Sequence, residues 1–99
     1  MKLSYHARIE RTDRLVNILA HVGLGEPCLE IASRTEDKIL VLTDTGVLMV
    51  YNGSKTVLVT AYLPKCDKMY AICKQYDVEM PWKVLKVLKI NEKKFAWIA

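Results

Sequence analysis

Two histidines, four arginines, three cysteines and a handful of hydroxyl side chains are the groups in this chain that could do chemistry. His6 carries an imidazole whose ordinary pKa suits proton transfer near neutrality. His6 and His21 lie far apart, and Cys28, Cys66 and Cys73 form no Cys-x-x-Cys pair, so the ligand spacing of a zinc site is missing. An odd number of cysteines cannot all pair internally. Free thiols in a reducing cytoplasm, serving as small apolar fillers, are the expectation. Nucleophile-elbow, phosphate-loop and dinucleotide-binding motifs do not occur in the sequence. Arg8, Arg11 and Arg14 alternate with Glu10 and Asp13, the pattern of an ion-paired, solvated helix face. His21, near a helix end, can favour the dipole there.

Charge is split along the chain. Residues 1–62 balance seven basic against seven acidic residues, while residues 63–99 set eight lysines against four acidic residues and so carry the whole net charge of +4. All four arginines precede residue 35, and the basic tail is purely lysine. Lysine acts on phosphate as a point charge, whereas arginine gives oriented, bidentate contacts. Lys83, Lys86 and Lys89 recur every three residues and stack on one flank of a helix. Such a flank is either a track for a polyanion or a solvated helix face.

The elements that must position these groups can be read from periodicity. Ninety-nine residues with 52% hydrophobic content make one domain, residues 1–99, with a single sizeable core. No apolar run approaches a membrane span, and the amino terminus lacks a signal-peptide hydrophobic region. Ser4 to Val22 has a helical pattern with Ser4 as N-cap, and Thr12-Asp13 offers a second cap that would break it in two. The Gly23 to Pro27 stretch ends that helix. Cys28 to Ser33, Lys38 to Thr43, Val47 to Tyr51 and Lys55 to Tyr62 have strand composition. Asp44-Thr45-Gly46 suits a three-residue hairpin loop with Gly46 left-handed, and Asn52-Gly53 suits a two-residue type I′ turn. After Pro64, Cys66 to Tyr76 carries Met69, Ile72, Cys73 and Tyr76 on one side of a helix. Pro81 opens a last helix. Phe95 and Trp97 should dock on the core or on a second copy of the chain. The expected class is α+β: an N-terminal helix or helices, a four-stranded antiparallel β-meander and two C-terminal helices.

Register then predicts a polar cluster. A two-residue turn at Asn52-Gly53 pairs Tyr51 with Ser54, Met49 with Thr56 and Val47 with Leu58. Thr43, Thr60 and Tyr62 would converge at one end of that face, with Thr45 in the adjacent turn. The opposite face, bearing Leu48, Val50, Val57 and Val59, would lie under helices.

His6 with Arg11 in an amino-terminal helical segment, the meander, and a last strand ending Val59-Thr60-Ala61-Tyr62 together resemble the superfamily of small metal-independent microbial ribonucleases. A small helix and a lysine-rich helix after a proline follow, as in its short phage- and prophage-encoded members. The superfamily includes barnase-like nucleases, RelE-like messenger-RNA interferases and transfer-RNA-cutting colicins. The resemblance implies RNA as partner, an antitoxin or host protein as another, no membrane, no cofactor or metal, and the cytoplasm of a bacterial host. It implies attack by the RNA 2′-hydroxyl, which needs a base, an acid and donors for the phosphate charge. His6 would take the base or acid role and Arg11 would hold the phosphate, with Arg8 or Arg34 assisting. Tyr62 would donate a proton or stack on a base, Thr60 and Thr45 would bond phosphate oxygens, and Lys83, Lys86 and Lys89 would bind the nucleic acid. One departure stands out. Arg34, Lys38 and Lys55 are the only basic residues in or near the strands, and none is expected beside Thr60. A non-catalytic phage effector of the same fold, binding a host protein or nucleic acid, is the alternative. A homodimeric module anchored by Phe95 and Trp97 is a third.

Overall fold

The computed structural model describes residues 2–3 and 12–98. Four strands form the antiparallel meander: β2 (Pro27–Ser33), β3 (Lys38–Thr43), β4 (Leu48–Asn52) and β5 (Val57–Tyr62). A two-residue strand, β1 (Lys2–Leu3), was not anticipated; it adds parallel to β5, giving the order β1-β5-β4-β3-β2. Helix α1 (Thr12–Asn17) runs into a π turn (Ile18–Val22), which closes where the Gly23 N–H bonds the Ile18 carbonyl at 2.7 Å. Helices α2 (Cys66–Gln75) and α3 (Trp82–Lys94) follow the sheet, and a 3-10 turn (Ala96–Ile98) ends the described chain. The expected α+β class and antiparallel meander are present. The Ser4 cap and the helical pattern of residues 4–11 lie outside the described residues.

Helical elements pack on both faces of the sheet. On one face Ile31, Leu40, Leu42 and Leu48 meet Met69 and Cys73 of α2 and Val84 and Leu88 of α3. On the other, Val41, Val47, Met49 and Leu58 meet Ile18 of the π turn and Ile98 of the 3-10 turn. The expectation of one helix-covered face and one open, hydroxyl-bearing face is therefore corrected. Alternation along β3 and β4 puts apolar residues on both sides, as a strand buried on two faces requires.

The two hairpin loops turned out differently. Asp44-Thr45-Gly46 is a three-residue loop: Gly46 has φ +83°, the Thr43 N–H bonds the Val47 carbonyl at 2.9 Å, and Asn91 of α3 bonds the Thr45 carbonyl at 3.0 Å. A Cβ on Gly46 would come within 2.5 Å of the Asn91 amide, so both conformation and space call for glycine. Asn52-Gly53 is not a type I′ turn, because neither residue has positive φ. The Asn52 amide oxygen accepts from the Thr56 and Val57 N–H groups at 2.8 and 3.0 Å, and Lys55, at φ +60°, closes the turn onto the Asn52 carbonyl. Gly53 serves a different purpose: a Cβ there would fall 1.9 Å from the Asp37 carboxylate in the β2–β3 turn.

That longer loop moves the register. Tyr51 pairs with Leu58, but Val50 pairs with Thr60 and Leu48 with Tyr62, so Val59 is an extra residue in β5. A single inserted residue inverts which face the rest of the strand presents, because the pleat has period two. Thr60 and Tyr62 are thereby carried to the face of Leu48 and Val50, away from Thr43. Val57 and Val59 are half-buried and stand outside the core under α2 and α3, whereas Leu48 and Val50 belong there as expected.

Candidate functional site

Thr60 and Tyr62 sit two apart on β5 and so share a face. Beside them, the same face is not fully covered. An open hollow of about 270 Å³ lies over β3, β4 and β5, floored by Leu40, Val50 and Ile72 and walled by Glu36, Lys38, Tyr62, Lys68 and Tyr76. Each wall has a local reason. Lys38 opens β3, and alternation with Leu40 and Leu42 aims it to the α2–α3 side at the sheet's end. Glu36 comes from the β2–β3 turn, and Lys68 and Tyr76 come from α2 and its C-cap.

Arg14 reaches this cluster from α1, which packs against β5. Its Nη2 donates to Thr60 Oγ1 at 2.7 Å, and its guanidinium carbon lies 5.8 Å from the Tyr62 ring centroid, within cation–π range. The expectation that no basic residue would stand beside Thr60 is corrected by this contact. Arg14 and the buried Ile18 are four apart, so they share a helix face; that spacing was the available signal, masked by the alternation with Asp13 and Glu10. Lys38, likewise, was detectable as a charge on the leucine-bearing side of β3.

The electrostatics favour an anion at the cleft while holding a neutral phenol there. Burial pushes the Tyr62 phenol above the ordinary tyrosine range, partly offset by the positive charges of Lys38 and Arg14. Tyr62 is thus a proton-bearing donor at neutral pH. Glu36 is the resident counter-charge: Lys38 Nζ lies 2.5 Å from its Oε2, and the Tyr76 hydroxyl donates to its Oε1 at 3.1 Å. These two hydrogen bonds, that of Lys38 first, hold the Glu36 carboxyl below its usual range, and the carboxylate raises Lys38 in turn.

The other anticipated groups are dispersed. Thr43 is fully buried, and its hydroxyl accepts from the Val47 N–H at 3.3 Å and lies 3.0 Å from Thr45 Oγ1. Thr45 Oγ1 in turn bonds the carbonyls of Gly23 and Leu24 at 2.8 and 3.0 Å. With one proton per hydroxyl the chain has a single direction, from Val47 N–H through Thr43 and Thr45 to the Gly23–Leu24 turn. Thr43 and Thr45 therefore tie loops together, and the predicted convergence of Thr43 with Thr60 and Tyr62 does not occur. Arg34 is exposed in the β2–β3 turn, and Lys83, Lys86 and Lys89 are exposed on α3. His6, Arg8 and Arg11 lie outside the described residues.

Other polar features are structural. A second hollow of about 230 Å³ beside Leu63 and Phe95 includes Glu92, whose carboxylate accepts from the Cys66 N–H at the start of α2. Burial raises the thiol pKa of Cys28, Cys66 and Cys73, which keeps them protonated at neutral pH and poor nucleophiles. Phe95 packs into the core, while Trp97 is 59% exposed and meets His21 edge-on at 5.1 Å. Among the described residues no three His, Cys, Asp or Glu side chains gather as metal ligands, and no helix is long and apolar enough to cross a membrane. Comparison with protein-family models, curated proteins and solved structures finds no match, so the chemistry of the site itself is what bears on function.

Proposed function

We propose that this chain is an RNA-binding, ribonuclease-like protein of the phage or toxin type, with the cleft beside Tyr62 receiving the scissile phosphate. The observation that carries this reading is the placement of Tyr62 in the wall of the hollow with two cations near it, Lys38 in the same wall and Arg14 over its ring, Arg14 also donating to Thr60. Arg14 and Lys38 stabilise the charge on the phosphate oxygens and Thr60 adds a hydroxyl contact. The RNA 2′-oxygen attacks phosphorus and gives its proton to His6. The bond to the 5′-oxygen breaks, and that oxygen takes a proton from the Tyr62 phenol, leaving a 2′,3′-cyclic phosphate and a 5′-hydroxyl. Arg11 supplies a further phosphate contact, and Lys83, Lys86 and Lys89 hold the strand outside the cleft. Incubating the protein with total RNA in EDTA should yield fragments with 2′,3′-cyclic phosphate ends. His6→Ala should slow that cleavage by roughly 100- to 10,000-fold, the worth of a general base, with RNA affinity nearly intact.

One observation favours the non-catalytic alternative, an effector of the same fold that binds RNA or a host protein. Glu36, the carboxylate in the cleft wall, is committed to Lys38 and Tyr76 and is held in its ionised, weakly basic form. All base work therefore falls on His6. RNA that binds at the cleft but emerges uncut would select the alternative.

A further inference from the structure

The outward side of α3 has a composition that the cleft does not use. At 3.6 residues per turn, Trp82, Lys86, Lys89 and Lys93 fall within about 60° of one another around the helix, and Lys83, Ile90 and Lys94 adjoin them. All are exposed, Trp82 at 70%. Val84, Leu88 and Asn91, on the reverse side, are buried. Helix packing thus accounts for the buried side and leaves the lysine side unexplained. The one acidic residue of α3, Glu92, is turned to the Cys66 N–H, and the ion pairs seen among the described residues, Lys38–Glu36 and Lys55–Glu30, leave the α3 lysines out. The row from Trp82 to Lys93 is roughly 16 Å long at 1.5 Å per residue.

We infer that this face of α3 binds single-stranded RNA, with Trp82 as a stacking platform for one base and Lys86, Lys89 and Lys93 tracking the backbone. The inference rests on the RNA-directed reading of the cleft and extends it to a strand preference. Charge complementarity selects a polyanion, because a row of lysines that outnumbers the one carboxylate of its helix attracts phosphate through counterion release. The aromatic selects an unpaired strand: an indole ring can stack only on a base that is not already stacked in a duplex. A bilayer surface is the competing occupant. It would use Trp82 and Ile90 as apolar anchors, but Ile90 is the single aliphatic side chain in a field of lysines.

A Trp97→Phe variant leaves Trp82 as the sole indole and reports on this face by fluorescence. It should be titrated with a uridine oligonucleotide, a duplex RNA of equal length, heparin, and vesicles with and without phosphatidylserine. Quenching by the single strand is expected, with Trp82→Ala weakening its binding roughly five- to 150-fold, the worth of one stacked base. Trp82→Tyr should restore most of that loss. The salt slope should stay unchanged in Trp82→Ala and fall by roughly 2 when Lys86, Lys89 and Lys93 are all replaced by alanine. Equal losses for duplex and single strand, an equal response to heparin, or a Trp82 signal with anionic vesicles alone would each overturn the inference. If Arg14→Met removes RNA binding while Trp82→Ala leaves it intact, the α3 inference fails and the cleft reading stands. If the unmodified chain binds no RNA, the cleft reading itself has failed.

Discussion

Thr43–Thr45 and Thr60–Tyr62 are two hydroxyl pairs on the same sheet, and they meet opposite fates. The first is sealed: Thr43 is fully buried, and both hydroxyls are consumed by the chain that joins the β3–β4 loop to the Gly23–Leu24 turn. In the second, Tyr62 walls an open hollow together with Lys38, and Thr60 accepts from Arg14, whose guanidinium also lies over the Tyr62 ring. Residue type alone does not separate them. A hydroxyl whose partners are internal stabilises a loop, whereas one set among cations at an accessible surface can meet a ligand. The difference traces to one inserted residue, Val59, which turns Thr60 and Tyr62 away from Thr43.

The contrast can be broken most directly at Arg14. Arg14→Met should weaken RNA binding by roughly ten- to 150-fold, the worth of a charge-assisted hydrogen bond of about 1.5–3 kcal/mol, as read by anisotropy titration. An unchanged affinity would place Arg14 among purely structural groups. The two threonines should then part company. Thr43→Val should cost about 1–3 kcal/mol in denaturant unfolding, since it takes the buried side-chain acceptor from the Val47 N–H and the bond from Thr43 to Thr45. Its RNA affinity should not change. Thr60→Val should do the reverse, lowering affinity with little loss of stability. If both variants behave alike, the division into a sealed and an open cluster is wrong.

The smallest effect is expected at Glu36, and its sign is the informative part. Removing the resident carboxylate with Glu36→Gln should raise RNA affinity, as Lys38 no longer has to give up its ion pair to meet phosphate. Acid should have the same result. Glu36 titrates below its unfolded value, so its ion pair is present above the ordinary glutamate range and is lost as pH falls through the lowered folded value. Lys38 is raised, so its share is present below the ordinary lysine range and is lost only as pH rises through the raised folded value. The pair is therefore intact at neutral pH. A carboxyl-carbon NMR titration should find Glu36 below the ordinary value, and Lys38→Met should return it upward.

Much of the framework was legible because it depends on short stretches of chain. β-branched and aromatic residues bounded by turn residues marked all four meander strands, and β3 falls on its expected bounds, Lys38–Thr43. Gly46 was placed in the left-handed region by the composition of its own loop. Met69 and Cys73 in α2, and Val84 and Leu88 in α3, were placed by helical spacing, and Pro81 by its fitness for a helix start. The site was legible only in part. Thr60 and Tyr62 were singled out, but Arg14 resembled a surface charge because its partner lies 46 residues away. Glu36 and Tyr76 meet across 40 residues and left no local mark.

The sequence by itself therefore determined the order of the four meander strands and the two helices after them, and the concentration of lysine on one flank of α3, since each follows from spacing within a single element. Which face Thr60 and Tyr62 present was decided by the tertiary structure. Asn52-Gly53 has the composition of a two-residue turn, yet the Asn52 amide caps Thr56 and Val57, and Gly53 makes room for Asp37 of the neighbouring turn. The longer loop and the Val59 bulge set how β5 pairs with β4, and the period-two pleat converts that one-residue difference into a change of face.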